Sequence, residues 1–498
     1  MLENLTAALL HILTFQNLFF LLVGILLGYA TGAIPGLSSS IAIALLIPFT
    51  FGMDPVPAII MLVAIYMAAD YAAAIPAILV NAPGQPAASV TAFDGYPMTQ
   101  KGEAHKALAI SLGGSAWGAF ISSILLIFTA VLVARWALAF GPVEYFALTI
   151  LGLSLVSVLS SGSMLKGILA MLLGLLLVTI GLDPMTGAPR FVLVPQMIEG
   201  IPFVPALIGL FAFSEVLYLL ETSKERLSRV EHVGRLTIPF DLLKSMWGIL
   251  IRAPLIGYLL GVLPGAGSTI ASLVSYGEAK RVAKDPASFG KGNPAGVLAS
   301  ETANNASVSG ALAPLLTLGI PGSASAAVLL GALMTHGIAP GPRLFTLEPL
   351  LPYSIFASLL IGAPIMLAIG LLGARLWVQV TLVPKSILAV AVAGVCVLGA
   401  YAHGSSMYPV WIMIAFGVIG YGLRKVGIHP APIVLALVLG FIMEANFRRA
   451  LLSAGGDYTF FLTRPLALVL FAIAILVFVT PIIQSIRQKR QQQQEVAQ

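Results

Sequence analysis

Residues 32–42 read GAIPGLSSSIA and residues 261–271 read GVLPGAGSTIA, and the two stretches are identical at six of their eleven positions. Each places Pro-Gly and hydroxyl side chains inside apolar sequence. A second pair follows along the chain, NAPG at residues 81–84 and GIPG at residues 319–322. Interrupted apolar segments at corresponding places in two halves are typical of secondary transporters, in which broken helices meet near mid-membrane. The pattern therefore predicts two related halves with broken helices.

The composition is that of a membrane protein. Of its 498 residues, 59% are hydrophobic and only 9% are charged, and the mean hydropathy is +1.00. A soluble domain carries about 25% charged residues. Apolar runs long enough to cross a bilayer, about 20 residues each, recur as far as residue 482 with no polar domain between them. We therefore predict an all-α polytopic membrane protein.

Several function classes find little support in the sequence. The single cysteine, Cys396, lies in an apolar run and supports neither a disulfide framework nor a thiolate metal site. The net charge of +6 fits basic cytoplasmic loops better than nucleic-acid binding. The chain has no Walker A pattern, no Gly-x-Ser-Gly motif and no paired aspartates in apolar segments, and His105 and His336 fall at segment ends. We therefore expect no enzymatic activity and no cofactor other than a coupling ion.

The basic residues predict the topology. They collect at residues 101 and 106, 166, 224–235, 280–291, 375–385, 424–425 and 487–490. Loops rich in Lys and Arg lie on the cytoplasmic side, and placing all of these there lets the apolar segments cross the correct number of times. The count is about eleven spans, with the N-terminus outside and the C-terminus inside. Arg448 and Arg449 then fall outside, against the rule.

Two segments fit re-entrant hairpins better than spans. The apolar part of residues 244–276 is too short for two full crossings and is interrupted at Pro264-Gly265. A hairpin with its tip near residues 264–269 solves this, and the first half gives an inverted copy with its tip near residues 35–40. We predict a first half at 1–222, with its broken helix near 81–85, and a second half at 236–482, with its broken helix near 319–323. A disordered cytoplasmic tail is predicted at 483–498.

The interruptions are the candidate binding site. A broken helix leaves unpaired N–H groups at one end, which suit carboxylates, and carbonyl groups at the other, which suit sodium. The candidate substrate-binding residues are Ser38, Ser39, Ser40, Asn81, Gly84, Gln85, Ser268, Thr269, Asn304, Gly322, Ser323 and Ser325. The candidate cation-binding residues are Gly36, Asn81, Gly265 and Asn305, with sodium as a possible metal.

Three acidic residues lie within or beside apolar segments, namely Asp70, Glu278 and Glu301. Ionisable groups at such positions are costly and are often functional. Glu278 is near a basic loop and fits a solvated helix end. Asp70 is the better candidate for coupling to a proton or a cation.

Other interpretations of the interruptions stay open at this stage. Pro-Gly can merely kink a helix, and Ser or Thr can simply pack between helices. Broken helices also build the filters of channels, so a carboxylate or anion channel is the main alternative, and an intramembrane enzyme is a weaker one. Uptake that saturates and depends on an ion gradient would separate a transporter from a channel.

Two longer stretches resemble a known family. IPAILVNAPGQPAASVTAFDGYPM (residues 75–98) and ETANNASVSGALAPLLTLGIPGSASAAVLLGALMTHGIAPGPRLF (residues 301–345) resemble the signatures of the large membrane subunit, TctA, of tripartite tricarboxylate transporters. With the two Pro-Gly tips in register, the resemblance extends over nearly all the hydrophobic chain. One departure is AADYAA at residues 68–73, where the family is richer in glycine.

The resemblance implies a function and partners. It implies the transport subunit of a bacterial inner-membrane system that also has a small four-helix membrane subunit (TctB-like) and a periplasmic solute-binding protein (TctC-like). It implies cation-driven import of citrate-like di- or tricarboxylates by alternating access, with no ATPase, and it implies that the hairpin and break residues form the site. Which carboxylate is carried does not follow from these motifs.

The topology gives a testable prediction. Single cysteines at Ser228 and Ser288, in a background without Cys396, should react with a membrane-impermeant thiol reagent only from the cytoplasmic side. A cysteine at Leu347 should react only from the periplasm. Labelling of the first two positions from opposite sides would mean that the segment between them is a full span and not a hairpin.

Overall fold

The computed structural model describes residues 2–159, 163–222 and 236–496, with side chains placed up to Thr480 except at 158 and 159. The predicted basic loop at 224–235, with Ser228, lies outside the described residues. The described residues form helices joined by loops, together with a two-stranded hairpin of β1 (Gly181–Leu182) and β2 (Pro189–Arg190). An all-α fold is therefore confirmed.

The helices follow one another with short connections. The first are α1 (Leu2–Ile12), α2 (Phe15–Gly32), α3 (Ser39–Leu46), α4 (Pro55–Ala72), α5 (Ala74–Val80), α6 (Ala88–Gln100), α7 (Ala104–Ala137), α8 (Pro142–Leu159), α9 (Met164–Val178), α10 (Phe203–Leu207) and α11 (Ser214–Glu221). The next are α12 (Phe240–Ser245), α13 (Trp247–Val262), α14 (Gly267–Val282), α15 (Pro294–Leu318), α16 (Ala324–Thr335) and α17 (Leu344–Leu347). The last are α18 (Leu350–Leu372), α19 (Ala374–Val380), α20 (Lys385–Ala402), α21 (Met407–Lys425), α22 (Ala431–Ser453) and α23 (Pro465–Val496).

The described part of the chain contains 8 helical segments long and apolar enough to span a membrane, as well as shorter apolar helices. The protein is therefore a multi-pass membrane protein. Helices α13 and α14 have 16 residues each, or about 24 Å at 1.5 Å per residue, which is shorter than a bilayer core of about 30 Å. The count of eleven spans and the two re-entrant hairpins stay predictions.

The helical backbone continues through the polar tail, because α23 extends to Val496. The sequence analysis expected disorder from residue 483 onward. The Gln, Arg, Lys and Glu residues of this segment are all good helix formers, which accounts for the helical backbone.

The chain forms two compact units, and each takes segments from both predicted halves. Unit 1 consists of Met1–Ala137 and Phe203–Tyr421, and unit 2 consists of Leu138–Pro202 and Gly422–Gln498. The boundaries at residues 222 and 236 therefore do not coincide with the compact units. Division of the sequence into two repeated halves stays a prediction.

Close packing of small residues joins the helices of unit 1 in two equivalent pairs. Helix α2 packs on α4, and helix α13 packs on α15. A Cβ atom added at Gly32 would lie 2.5 Å from the carbonyl oxygen of Ala69, and one added at Gly261 would lie 2.5 Å from that of Ser307. Only glycine allows these backbones to approach so closely, as in other membrane helix pairs.

The two breaks have the same backbone geometry. Helix α5 ends at Asn81 and α15 at Gly319, both in the left-handed conformation, with φ 53° and 72°. The next N–H group donates back across the helix end in each case, from Ala82 to Pro76 O and from Ile320 to Pro314 O, both at 3.2 Å. The bond spans one residue more than the 6→1 bond of a Schellman motif, and a proline follows each helix end, as is common after a left-handed C-terminal residue. NAPG and GIPG are therefore two copies of one helix stop.

A second backbone bond repeats in both breaks. Gly84 N–H donates to Ala73 O at 3.2 Å, and Gly322 N–H donates to Ala311 O at 3.4 Å. Each donor and acceptor in the second break lies the same number of residues after its counterpart in the first break. The two breaks therefore share their backbone hydrogen bonds as well as their sequence pattern.

The two broken segments of unit 1 run in opposite directions. At one end Lys101 Nζ donates to Lys291 O at 2.5 Å, so the end of α6 lies beside the start of α15. At the other end the Thr50 hydroxyl lies 2.9 Å from His336 Nε2, so the start of α4 lies near the end of α16. This antiparallel arrangement agrees with the inverted repeat predicted from the basic loops.

Arg448, which the basic-loop count places outside, belongs to an ion-pair network in unit 2. Arg448 pairs with Asp183 at 2.7 Å and with Glu444 at 2.8 Å, and Arg190 of β2 pairs with Glu444 at 2.7 Å. Backbone N–H groups of Thr186 and Met185, together with Arg448, hold the pKa of Asp183 well below its usual range. The network ties Arg448 to the β hairpin, and the side of the membrane on which both lie stays a prediction.

The glycine packing gives a stability prediction. Gly261→Ala places a methyl group against the backbone of Ser307, and such overpacking costs about 1 to 3 kcal/mol. We expect the midpoint of thermal unfolding in detergent to fall by several degrees. The control is Gly277→Ala on α14, where nothing lies within 4 Å of the new atom and the change should be neutral or slightly stabilising. Equal midpoints for the two variants would contradict close packing of α13 on α15.

Candidate functional site

Side chains from both broken segments of unit 1 converge on one carbonyl oxygen. Asp70 lies near the end of α4 and is 1% exposed. Its backbone oxygen accepts Gln85 Nε2 at 3.2 Å, just after the first break, and Asn304 Nδ2 of α15 at 3.0 Å. Side chains from the two antiparallel segments are therefore fixed against the same peptide group.

A second set of contacts joins the halves beside the first. The Tyr66 hydroxyl lies 2.6 Å from Ser323 Oγ, which in turn accepts Ala326 N–H at 3.1 Å and so caps α16. Ser39 Oγ of α3 lies 2.8 Å from Ser325 Oγ. Tyr66 and Asn304 are separated in the sequence by the same number of residues as the two breaks, and so are Gln85 and Ser323. The tyrosine–serine contact is thus the counterpart of the convergence on Asp70.

The interior of this cluster presents oxygen atoms that have no hydrogen-bond donor. Both carboxyl oxygens of Asp70, Oδ1 of Asn304 and the whole side-chain amide of Asn305 are buried and lack partners among the described residues. Such groups cost free energy in a dry interior unless water or a ligand satisfies them. Carboxylate and amide oxygens are ligands for a hard cation. The donor set therefore fits a sodium ion, and the carboxyl group of Asp70 can alternatively take a proton.

Other predicted substrate residues lie elsewhere around the breaks. Ser38 Oγ and Ser40 Oγ lie 2.8 Å apart at the start of α3. Ser268 is half-buried and Thr269 is exposed at the start of α14, and Asn81 is exposed where it ends α5. Their assignment to substrate stays a prediction.

Two glycines predicted to bind the cation, Gly36 and Gly265, shape the backbone around the interruptions. Gly36 has a φ of 89°, and a Cβ atom there would lie 2.9 Å from Glu215 Oε1. Gly265 N–H donates to Gly322 O at 3.2 Å, which ties the tip between α13 and α14 to the second break. Of the predicted cation set, Asn305 is the residue that lies beside Asn304 in the unpartnered oxygen cluster, and the ion assignment stays a prediction for all four residues.

The sequence analysis did not assign Tyr66 or Glu301 to the site. Glu301 is 0% exposed, and it accepts hydroxyl donors from Thr91 at 2.5 Å and Ser115 at 2.9 Å. Helical spacing was the available signal, since Tyr66 is one turn before Asp70, and Glu301 is one turn before Asn304 and Asn305. Glu278, by contrast, pairs with Arg252 at 2.8 Å, so it is not part of the cluster.

The oxygen cluster gives a binding prediction. Sodium should raise the unfolding midpoint of the purified protein relative to choline at equal ionic strength, because a ligand at about 100 times its dissociation constant adds about 2.7 kcal/mol. Asp70→Asn should abolish this response because it removes the charged ligand. Asp54→Asn, at the exposed start of α4, should keep it. An unchanged sodium response in Asp70→Asn would put the ion at another place.

Comparison with known proteins shows one family. The profile of the "Tripartite tricarboxylate transporter TctA family" matches residues 18–435. A protein of Agrobacterium vitis, described as an uncharacterized 52.8 kDa protein in the TAR-I ttuC' 3' region, is 38% identical over 491 residues, or 98% of each chain. A second protein of that organism, in the TAR-II ttuC' 3' region, is 39% identical over 236 residues, covering 47% of this chain and 98% of its own. No solved structure matches the chain.

Proposed function

The chain belongs to the tripartite tricarboxylate transporter TctA family, and we propose that it is the transport subunit of a secondary transporter that imports small di- or tricarboxylates. It would act in the inner membrane of a bacterium with a small four-helix TctB-like subunit. A periplasmic TctC-like protein would deliver the substrate. A sodium or proton gradient would drive uptake.

The observation that best supports this proposal is the convergence of side chains from two antiparallel broken segments on the Asp70 carbonyl. A site at the junction of two inverted segments is exchanged between the two sides of the membrane when one segment moves against the rest. Secondary transporters use this arrangement for alternating access. We favour an elevator-type displacement of the hairpins and breaks as one body.

The proposed site divides its work between helix ends and acceptor oxygens. Helix N-termini bind anions. The substrate carboxylates would therefore bind at the helix N-termini that follow the interruptions, at Ser39, Ser40, Gln85, Ser268, Thr269 and Ser323. The coupling cation goes to the oxygens of Asp70, Asn304 and Asn305, which have no donors of their own. No Lys, Arg or His occurs among the buried residues that the structure describes. The cation would therefore supply positive charge beside the substrate.

A carboxylate channel remains the second candidate because broken helices also form filters. The unpartnered oxygens around Asp70 favour a carrier, since a cation bound there ties substrate movement to an ion gradient. Accumulation of substrate against its own gradient would exclude a channel.

The division of work is tested with two substitutions. Ser268→Ala should raise the apparent substrate constant roughly three- to a hundredfold, because one hydrogen bond to a charged group is lost, and should leave sodium dependence nearly unchanged. Asn305→Ala should mainly weaken sodium activation. The measurement is uptake into proteoliposomes with both partner subunits, titrating sodium and substrate separately. Ser245→Ala, on the exposed end of α12, is the matched control.

Two outcomes would count against this division. If both site variants behave like Ser245→Ala, the residues pack helices and the site lies elsewhere. If Asn305→Ala changes only the substrate constant, the amide binds substrate and not the cation.

A further inference from the structure

We propose that Glu301 is a second coupling group, which takes up one proton from one side of the membrane and releases it on the other in each transport cycle. This inference rests on the transport function proposed above. The step is simple protonation of the Glu301 carboxylate and later loss of the same proton. It adds a proton to whatever cation binds at Asp70.

The first observation is that Glu301 is an acid buried without a base. It is 0% exposed, and the buried side chains in the described ranges include no Lys, Arg or His. Asp70 belongs to the neighbouring broken segment, and its backbone carbonyl accepts Asn304, one turn from Glu301 on α15. Burying two uncompensated carboxylates is costly, so a proton on Glu301 removes one of the two charges.

The second observation is the kind of partner that Glu301 has. Thr91 of α6 and Ser115 of α7 place one hydroxyl group on each carboxyl oxygen. A hydroxyl group can donate to a carboxylate and can also rotate to accept from a neutral acid. Glu301 can therefore change its protonation state without losing its partners.

Asp94 provides the contrast within the same unit. Its Oδ1 accepts the backbone N–H groups of Gly290, Gly292 and Asn293 at 2.7 to 2.9 Å, and its Oδ2 accepts the Tyr276 hydroxyl. Three backbone N–H groups can only donate, whereas the hydroxyl groups at Glu301 can donate or accept. Of these two acids, Glu301 is the one whose partners suit both the charged and the neutral form of a carboxyl group.

The position of Glu301 suits a carrier of protons. It lies about 10 Å along α15 from the Pro294 end, at 1.5 Å per residue, where Lys101 meets Lys291. Asn304, which binds the Asp70 carbonyl, is one turn further on. Glu301 thus lies between one end of unit 1 and the proposed cation site.

The titratable groups around Glu301 are few. Helix α4 contributes Tyr66, Asp70 and Tyr71. The other helices packed on α15 contribute groups that are nearer its ends or are paired with each other. These are Asp94 and Tyr96 on α6, Tyr276, Glu278, Lys280 and Arg281 on α14, Arg252 and Tyr258 on α13, and His105, Lys106 and Arg135 on α7.

The test separates substrate exchange from proton-driven accumulation. The complete complex, with binding protein, is reconstituted into proteoliposomes that contain a pH-sensitive dye. Citrate is the probe where the parent protein carries it, and otherwise the carboxylate that the binding protein binds is used. Glu301→Gln should keep exchange at equal pH within about threefold. It should reduce accumulation driven by a pH gradient at least tenfold and remove the substrate-linked proton signal. Glu301→Asp should restore part of both.

Glu301→Gln needs a control at another buried acid. Glu144→Gln changes a buried acid of unit 2 whose partner is the Gly141 N–H, and it should leave exchange, accumulation and the proton signal unchanged. A persistent proton signal in Glu301→Gln overturns the proposal. So does a parent complex that accumulates substrate without moving protons, or equal loss of exchange and accumulation in a folded Glu301→Gln complex. A parent complex with neither exchange nor uptake contradicts the proposed function instead.

Thr91→Val keeps the test decisive if Glu301→Gln does not assemble. It removes one donor from the ionised form of Glu301 and leaves the acid in place. The neutral form is then favoured, so the pH midpoint of uptake should move upward by about one to two units. A midpoint equal to that of the parent complex would contradict proton uptake by Glu301.

Discussion

Backbone groups at a helix break inside a membrane protein have to find partners within the protein, because hydrocarbon offers none. In unit 1 this constraint is met twice in the same way. Ala82 and Ile320 close their helix ends, while Gly84 and Gly322 donate back to the preceding helix. The break at Gly84 also lies against the Gly32 carbonyl, where a Cβ atom would be 2.9 Å from the oxygen. Glycine packing and helix stops are therefore parts of one arrangement.

The sequence was sufficient for features that depend on local chemistry. Asn or Gly in the left-handed conformation, with a proline shortly after it, commonly ends a helix. The breaks at 81–84 and 319–322 were therefore predictable from the residue types. The inverted directions followed from basic loops. The basic-loop count could not show that Arg448 pairs with Asp183, because Asp183 is far from it in the sequence.

The contacts of the candidate site were less accessible to sequence reasoning. Gln85 and Asn304 were candidates, but their common acceptor is a backbone carbonyl, which no residue type identifies. The hydroxyl partners of Glu301 come from α6 and α7, far away in the chain. Periodicity places Glu301 on the face of Asn304, yet only the packed structure distinguishes an acid with hydroxyl donors from one, such as Asp70, without donors.

The two repeats match at their breaks but differ in the helix that returns from each tip. Helix α3 has 8 residues and α14 has 16, and the loop after α14 holds Asp94 and Lys101. The opposite end of unit 1 has the smaller contact between Thr50 and His336. A perfectly symmetric carrier would face either side with equal free energy. The two ends of unit 1 are not equivalent in this structure, so the two orientations of the proposed carrier would differ in free energy.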